Sequence, residues 1–257
     1  MPLNAGNQTT RPLPPPVGQR VRIALFLDLD GVLAPLASTP DAVVADPRRT
    51  RVLGALDRAL GGRVAVVSGR TLSEIDRIAG GATPSAAGIH GLERRRHDGS
   101  MVETLPSRAV ENAVSAFQAF AADNPGVLVE DKGLSAGLHY RGAPQAEQGA
   151  LALATDLANR SDLIAQPGKM VIELKTPGAD KGSAIKAFMA ELPFLGAMPI
   201  MLGDDLTDEA GFAAAEALSG FGVLVGEPRE TAARYGLPDV DAVLMWLEAV
   251  ALETQPA

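Results

Sequence analysis

The sequence predicts an α/β protein built around a parallel sheet, with a smaller α+β module inserted into it. From Val21 onward, short apolar runs rich in β-forming residues alternate with longer helical patterns. Those runs are apolar on both faces, as strands buried inside parallel sheets are. Between about Leu92 and Val171 the pattern changes to hairpin-like strands and amphipathic helices. We therefore expect one core domain that is interrupted by an insertion.

Length and composition are consistent with this organisation. The chain has 257 residues, which is enough for a sizeable core and an inserted module. Hydrophobic residues make up 46% and charged residues 21%, as in a folded globular protein, and we expect it to be cytoplasmic. The chain has no cysteine, which excludes disulfides, thiolate nucleophiles and cysteine-based metal sites.

The charge of the chain disfavours two classes of partner. A formal net charge of −8 and a pI of about 5.0 argue against binding to nucleic acid or to an anionic membrane surface, because both reward clustered lysine and arginine. No segment approaches the roughly 18 uninterrupted apolar residues of a membrane span. The remaining candidates for a partner are a small substrate and a cation.

The first 20 residues are predicted to be a flexible tail. They contain three consecutive prolines, which favour an extended and solvated chain. They lack the apolar segment of about 7–15 residues that a secretory signal requires.

The core is predicted to use four strands and at least two helices. The strands are expected at residues 23–29 (IALFLDL), 64–69 (VAVVSG), 198–205 (MPIMLGDD) and 222–226 (GVLVG), and the helices at 180–192 and 206–218. Several strands end in a polar residue that is followed by glycine or by the start of a helix. Functional sites in such sheets form at the carboxyl ends of the strands.

The insertion is predicted to combine hairpins with two helices. Hairpin strands are expected at 97–105 (HDGSMVETL) and 127–141 (VLVEDKGLSAGLHYR), and helices at 106–123 and 144–160. The predicted boundaries are a tail at 1–20, a core at 21–91 and 172–257, and the α+β insertion at 92–171.

Two aspartates near the end of the first strand are the first candidates for a functional site. Asp28 and Asp30 occupy alternate positions, so their side chains point to the same side of the strand. Two carboxylates a few ångströms apart in a partly dry site repel each other by several kcal/mol unless a cation or a proton lies between them. In isolation the pair could also be a turn cap and an exposed side chain.

A second acidic segment strengthens the case for a cation site. The stretch GDDLTDE places Asp204, Asp205 and Asp208 after another apolar strand. Asp205 or Thr207 could cap the following helix, but capping does not require so many carboxylates. Hard oxygen ligands of this kind suit Mg²⁺ bound together with a substrate phosphate.

A phosphate in an acidic site needs counter-charges and hydroxyl donors. Ser68 ends the second predicted strand, and Lys181 stands at the start of a helix, where backbone N–H groups also attract anions. Taken alone, Ser68 could be an ordinary helix cap and Lys181 a solvated surface lysine.

The segments DLDGVL, SGR, DKG and GDDLTDE follow one another in the order of the four motifs of the phosphatases of the haloacid dehalogenase superfamily, and the chain resembles that superfamily after its tail. The resemblance implies a Rossmann-like core with a cap domain between the second and third motifs. It also implies that Asp28 is the nucleophile that forms an aspartyl-phosphate and that Asp30 is the general acid and base. Ser68 and Lys181 would hold the phosphoryl group.

The same resemblance implies the ligands of a magnesium ion. These would be the Asp28 carboxylate, the Asp30 backbone carbonyl and Asp204, with Asp205 and Asp208 placed around the metal's waters and the neighbouring loops. The general physics of phosphoryl transfer agrees, because positioning and charge neutralisation carry most of the catalysis.

The insertion and its two connections resemble the trehalose-6-phosphate phosphatase family, bacterial type. The resemblance rests on GIHGLE, EDKGLSAGLHYR and GKMVIELKTPGADKG. It implies that Glu130, Lys132 and Glu173 hydrogen-bond the disaccharide. Further candidates for substrate binding are Gly69, Arg70, His90, Gly91, His139 and Arg141. Without the resemblance, Glu130 and Lys132 would be read as a surface ion pair.

The predicted function is therefore Mg²⁺-dependent hydrolysis of trehalose 6-phosphate to trehalose and phosphate. One alternative is a related phosphatase for another sugar, such as sucrose 6-phosphate or mannosyl phosphoglycerate. The other is a non-catalytic domain that binds a sugar phosphate for a partner such as trehalose-6-phosphate synthase. An active enzyme could be functionally coupled to such a synthase as well. Aromatic residues are 4% of the chain, so stacking on sugar rings should contribute little.

Overall fold

The fold is a mixed α/β architecture with two separate sheets. The computed structural model describes residues 11–18, 21–37, 39, 42–105 and 107–254. Among these residues, twelve strands form two sheets and seven α-helices pack against them. The predicted fold class is confirmed. No helix in these ranges is both long enough and apolar enough to cross a membrane.

The strands are short, and four strands of the central sheet are buried along their whole length. They are β1 (Ile23–Leu27), β2 (Val64–Val67), β3 (Ser85–Gly88), β4 (Glu93–Arg95), β5 (Met101–Glu103), β6 (Leu128–Asp131), β7 (Ser135–His139), β8 (Ile164–Gly168), β9 (Val171–Lys175), β10 (Met198–Gly203), β11 (Phe221–Val225) and β12 (Tyr235–Leu237). In the central sheet the order is β12-β11-β10-β1-β2-β3-β4-β5, and in the second sheet it is β6-β7-β9-β8. The central sheet is parallel from β12 to β3, and β4 and β5 continue it as antiparallel strands.

Five of the seven helices begin at residues whose side chains accept backbone hydrogen bonds. The seven helices are α1 (Pro47–Ala59), α2 (Leu72–Ala79), α3 (Arg108–Asp123), α4 (Glu147–Asn159), α5 (Lys181–Met189), α6 (Glu209–Ala217) and α7 (Val240–Glu253). Asp46, Thr71, Ser107, Asp180 and Asp239 are the N-caps of five of them. Each cap satisfies backbone N–H groups that have no partner inside the helix.

Alternation along β1 divides the core into two layers. Ile23, Leu25 and Leu27 pack on one face with residues of α1 and α7. Ala24 and Phe26 pack on the other face with residues of α5 and α6. Successive side chains of a strand point to opposite faces, so a strand covered by helices on both sides must be apolar throughout.

The register of the parallel strands brings three polar segments together. Leu27 lies opposite Leu202 of β10 and Val66 of β2. The Asp28 backbone N–H donates to the Leu202 carbonyl at 3.0 Å. The residues that follow these strands therefore meet at one edge of the sheet, which is where sites form in open α/β folds.

The second sheet has one face covered by helices. Val110 and Phe117 of α3 pack with Ala136, Leu138 and Leu174 of the sheet in a separate hydrophobic cluster, which α4 completes. The alternate side chains of the same strands project from the opposite face. That opposite face is directed toward the strand ends of the central sheet, because its side chains line a cleft together with residues of those ends.

Two segments lie in a different sheet from the one expected. The predicted hairpin at 97–105 belongs to the central sheet, because the chain turns back directly after β3 and pairs β4 and β5 antiparallel at its edge. Strand β9 pairs with β7 and β8 in the second sheet, although most of it lies in the predicted core segment. The strands β3, β4, β8 and β12 were not predicted, because none of them is a run of large apolar residues.

Part of the predicted flexible tail is held against the core. Within 1–20, residues 1–10 and 19–20 lie outside the described residues. In the described part, the Arg11 guanidinium donates to the backbone carbonyls of Arg229, Thr231 and Ala233. Val17 is buried in the main hydrophobic cluster. Arg11 and Val17 are therefore held against the core, and these contacts compensate for the cost of ordering them, whereas most of the residues between them are exposed, as expected of a solvated tail.

We predict that Phe188→Ala lowers the free energy of unfolding by about 3–5 kcal/mol. Phe188 is 1% exposed, and its ring centroid lies 6.0 Å from that of Phe26 and 5.1 Å from that of Phe194. Chemical denaturation of the two proteins measures the difference. The control Leu252→Ala, at a position that is 71% exposed, should change it by about 0.5 kcal/mol or less. A loss below about 1 kcal/mol for Phe188→Ala would show that the aromatic cluster does not support the core.

Candidate active site

A cleft of about 840 Å³ lies between the strand ends of the central sheet and the exposed face of the second sheet. Of the predicted site residues, all but Gly91 and Asp208 line it. They come from widely separated segments, namely Asp28, Asp30, Ser68, Gly69, Arg70, His90, Glu130, Lys132, His139, Arg141, Glu173, Lys181, Asp204 and Asp205. The structure therefore brings fourteen of the sixteen predicted residues to one cleft.

Three aspartates and one lysine form a buried cluster at the end of the central sheet. One carboxylate oxygen from each of Asp28, Asp204 and Asp208 lies within 4.8 Å of the others. The Lys181 Nζ lies 2.9 Å from Asp28 Oδ2 and 2.6 Å from Asp208 Oδ1. Lys181 is 2% exposed and Asp208 fully buried, so water screens these charges poorly.

The cluster carries more negative than positive charge. Burial raises the pKa of Asp28 well above its ordinary value; Lys181 opposes this shift, and Asp208 and Asp204 add to it. Burial and the neighbouring Asp208 raise the pKa of Asp204 to about 7. The two partner carboxylates raise the pKa of Lys181 despite its burial. One lysine therefore does not neutralise three carboxylates, and a divalent cation would.

Asp208 shapes the loop instead of facing the cleft. Its Oδ1 accepts from Lys181, and its Oδ2 accepts from the backbone N–H groups of Asp204 and Asp205 at 2.9 and 3.0 Å. Gly203 permits this fold-back, because a Cβ there would lie 2.3 Å from the Asp208 Cγ. Asp205 caps the following turn by accepting from the Leu206 N–H.

The donor set fits a magnesium ion. Mg²⁺ prefers one or two protein carboxylates together with waters and phosphate oxygens. Asp28 and Asp204 supply such carboxylates, and burial together with the neighbouring carboxylates raises the pKa of both. Gly31 has a φ of +76°, and a Cβ there would lie 2.1 Å from Asp204 Oδ2. Only glycine therefore leaves room for the Asp204 carboxylate next to the Asp28–Gly31 segment.

Arg141 and Lys132 connect the second sheet to the core. The Lys132 Nζ donates to the Gly69 carbonyl at 3.0 Å. The Arg141 guanidinium donates to the carbonyl of Ala37 at 2.8 Å and to that of Lys169 at 3.3 Å. The contacts to Gly69 and Ala37 cross from residues beside β6 and β7 to loops of the core, whereas the contact to Lys169 stays within the second-sheet unit. These contacts help to set the position of the cleft-facing side of the second sheet relative to the strand ends of the central sheet.

Two glutamates of the second sheet, Glu130 and Glu173, lie in one row across its strands. Glu130 of β6 is opposite Gly137 of β7, which is opposite Glu173 of β9, which in turn is opposite Gln166 of β8. Residues in register on neighbouring strands share a face, so this row presents polar groups to the cleft. The Lys132 Nζ lies 3.5 Å from both Glu130 Oε2 and Glu173 Oε1.

The acidic groups of this row are held ionised by their neighbours. Burial alone would raise the pKa of Glu173, but Lys132, His90 and Ser135 outweigh it and lower the pKa well below its usual range. Burial is also outweighed at Glu130, where His139 and Lys132 lower the pKa. Both glutamates therefore offer charged acceptors to hydroxyl groups.

His90 and Gly91 form the connection that follows β3. His90 has a φ of 55° and Gly91 a φ of 104°, so the chain makes a left-handed turn there. The His90 Nε2 lies 3.3 Å from Glu173 Oε2 and 3.3 Å from the Gln166 amide nitrogen. Burial lowers the pKa of His90. His90 is thus a core residue that supports the row on the second sheet.

Sequence reasoning missed Gln166, Ser135 and Glu74. Gln166 and Ser135 stand in ordinary strand patterns, and their proximity to Glu173 follows from strand pairing that local patterns do not reveal. Glu74 could have been found, because Thr71 and Glu74 have the spacing of a capping box.

Comparison with known proteins identifies the family of this chain. The family model described as trehalose-phosphatase matches residues 26–241. The chain is 39% identical to "Trehalose-6-phosphate phosphatase" of Escherichia coli (strain K12) over 248 residues, which are 96% of this chain and 93% of that protein. It is 38% identical to "Probable trehalose-phosphate phosphatase" of Sinorhizobium fredii, covering 89% of this chain and 88% of that protein.

A solved structure is also similar over most of its length. The crystal structure of a trehalose-6-phosphate phosphatase related protein covers 89% of this chain and 97% of its own, with a TM-score of 0.72 and 27% sequence identity. The family match extends from the strand that precedes the first aspartate motif to the start of the last helix. The chain belongs to the trehalose-phosphatase family.

Proposed function

We propose that this protein hydrolyses trehalose 6-phosphate to trehalose and phosphate and requires Mg²⁺. The observation that carries the proposal is that the acidic cluster and the charged row of the second sheet open onto the same cleft. One end of that cleft suits a phosphate beside a metal ion, and the other offers charged partners to sugar hydroxyls. Family membership supports the choice of the sugar.

The proposed chemistry starts at Asp28. Its carboxylate would attack the phosphorus and form an aspartyl-phosphate, while Asp30 protonates the departing sugar oxygen. Asp30 would then take a proton from the water that hydrolyses the intermediate. Lys181 Nζ, 2.9 Å from Asp28 Oδ2, and the Ser68 hydroxyl would hold the phosphoryl oxygens in place.

A bound Mg²⁺ would neutralise charge that develops on the phosphoryl group. Asp28, Asp204 and the Asp30 backbone carbonyl would hold it, with Asp205 and Asp208 supporting the loop around it. The raised pKa values of Asp28 and Asp204 support this assignment, since a cation is what favours their ionised forms.

The sugar would be recognised by Glu130, Lys132 and Glu173. Hydrogen bonds to charged groups contribute about 1.5–3 kcal/mol each and depend on the position of each hydroxyl. Their shared face and the cleft beneath them support the assignment. Gly69, Arg70, His90, Gly91, His139 and Arg141 remain candidates for substrate binding or for its support.

We also propose that the second sheet with α3 and α4 is the cap predicted at 92–171. The strand pairing favours revised boundaries, with β4 and β5 in the core and β9 in the cap. The coupling to a trehalose-6-phosphate synthase and the cytoplasmic location stay predictions.

The first test is phosphate release from a panel of substrates with Mg²⁺ and with EDTA. We expect trehalose 6-phosphate to have the highest kcat/KM, at least about tenfold above glucose 6-phosphate, which lacks the second ring and its charged hydrogen bonds. EDTA should abolish turnover, and added Mg²⁺ should restore it. A preference for sucrose 6-phosphate or mannosyl phosphoglycerate would identify a related sugar phosphatase. The absence of turnover on every sugar phosphate would favour a regulatory binding domain.

The second test replaces Glu130, Lys132 and Glu173 singly by alanine. Each change should lower kcat/KM for trehalose 6-phosphate about 10-fold to 150-fold, the equivalent of about 1.5–3 kcal/mol. The activity toward p-nitrophenyl phosphate should fall far less, because that substrate has no disaccharide to bind.

Glu111→Ala is the matched control for this test, since Glu111 is an exposed glutamate on α3, across the second sheet from the cleft. It should leave both activities at the parent level. If all three cleft variants retain the full preference for trehalose 6-phosphate, other residues must recognise the sugar.

A further inference from the structure

The turn between β2 and α2 is built around a capping box. Thr71 is the N-cap of α2, and its Oγ1 accepts from the Glu74 N–H at 3.3 Å. In return, the Thr71 N–H and hydroxyl donate to Glu74 Oε2 at 3.0 and 2.9 Å. This reciprocal arrangement fixes the Glu74 carboxylate in one orientation. Its second oxygen, Oε1, faces Arg70.

Arg70 joins Glu74 to the proposed general acid. Its Nη1 donates to Glu74 Oε1 at 3.0 Å. Its Nε donates to Asp30 Oδ2 at 2.7 Å and its Nη2 to Asp30 Oδ1 at 2.9 Å. The Arg70 side chain is 9% exposed, whereas that of Asp30 is 31% exposed. A planar guanidinium that donates to both oxygens fixes the plane of the carboxylate as well as its position.

The backbone of Asp30 is held independently of Arg70. Asp30 forms a β-bridge with Ala34, and the Gly31 N–H donates to the Ala34 carbonyl at 2.7 Å. With the backbone held in this turn, the direction of the Asp30 carboxyl group is set by rotation of its side chain. Arg70 restrains that rotation.

We propose that Arg70, itself held by Glu74, is a positioning residue that directs the Asp30 carboxyl group toward the leaving oxygen of the substrate. The inference rests on the proposed function, in which Asp30 gives its proton to the departing sugar oxygen. A carboxylate has about four lone-pair sites, so donation by Arg70 to one edge leaves the other edge for the cleft, which Asp30 lines. Arg70 thus acts through Asp30, and substrate contact is not needed for its effect.

The cap contacts the same turn. Lys132, a proposed sugar-binding residue, donates to the carbonyl of Gly69, the residue before Arg70. Lys132, which would bind the sugar, is therefore hydrogen-bonded to the residue that precedes Arg70, which would orient Asp30. When Lys132 binds the sugar, its contact with this turn would also set the distance between the leaving oxygen of the substrate and Asp30.

The experiment compares kcat/KM for trehalose 6-phosphate and p-nitrophenyl phosphate in the parent protein and in Arg70→Lys. Lysine keeps the charge but cannot donate to both oxygens in one plane. We expect about a 10-fold to 100-fold loss on trehalose 6-phosphate, because a misplaced catalytic group costs up to about 100-fold. The loss on p-nitrophenyl phosphate should be at least about ten times smaller, since its leaving group departs with little help from an acid.

A double-mutant cycle with Asp30→Asn separates positioning from general damage. In the Asp30→Asn background, Arg70→Lys should change kcat/KM for trehalose 6-phosphate by less than about 3-fold, because the proton that Arg70 helps to place is already gone. Glu74→Gln should reproduce the effect of Arg70→Lys in weaker form, and it replaces that variant if Arg70→Lys does not fold.

Arg95→Lys is the matched control. Arg95 also donates to both oxygens of an aspartate on α2, with distances of 2.7 and 2.6 Å to Asp76, but away from the cleft. It should lower the melting temperature without changing the ratio between the two substrates.

Equal losses on both substrates for Arg70→Lys, or an undiminished loss in the Asp30→Asn background, would overturn the proposal. If the parent protein rejects trehalose 6-phosphate, the proposed function fails, and the same comparison is then made with whichever alkyl phosphate it hydrolyses fastest. Failure of every alkyl phosphate would overturn both.

Discussion

The buried ion pairs of Lys181 with Asp28 and Asp208 are the interaction on which the rest of the site depends. Lys181 begins α5, Asp28 follows β1 and Asp208 ends the turn after β10, so one ammonium group joins three elements. Removing one member of such a buried group would leave the others without compensation. The loop that carries Asp204 is folded around Asp208 by two backbone hydrogen bonds. The position of the proposed metal ligand is therefore a consequence of the same cluster.

A second charged network lies across the cleft, and it too has a lysine between carboxylates. Lys132 stands between Glu130 and Glu173, and it also donates to the Gly69 carbonyl of the core. Its pKa is raised by the two glutamates although burial opposes the shift. The first network has three carboxylates around one lysine and the second has two glutamates around one lysine, so the first is the more negative and suits the proposed metal ion, and the second suits the proposed sugar. A phosphorylated disaccharide with a divalent cation satisfies both networks.

The sequence predicted the parts of the fold that depend on local pattern. β1, β2, β10 and β11 are recognisable because helices cover both faces of the sheet, which makes each strand apolar throughout. The residues after them were identified because carboxylates directly after buried strands are unusual. Pairing between distant segments was harder to predict from the sequence. Strands β4 and β5 join the central sheet through contacts with β3. Residues 11–18 are held by carbonyl groups more than 200 positions away. The link from Glu74 through Arg70 to Asp30 depends on side-chain directions that spacing alone does not specify.

The aspartate cluster has three carboxylates around one lysine, and we propose that a divalent cation supplies the missing positive charge. Calorimetric titration of the metal-free protein with Mg²⁺, in the absence of substrate, tests it most directly. We expect saturable binding at one site, lost when Asp204 is replaced by asparagine, because that change removes both a proposed ligand and one of the negative charges of the cluster. No detectable binding to the parent protein, or equal binding to the Asp204→Asn variant, would contradict it.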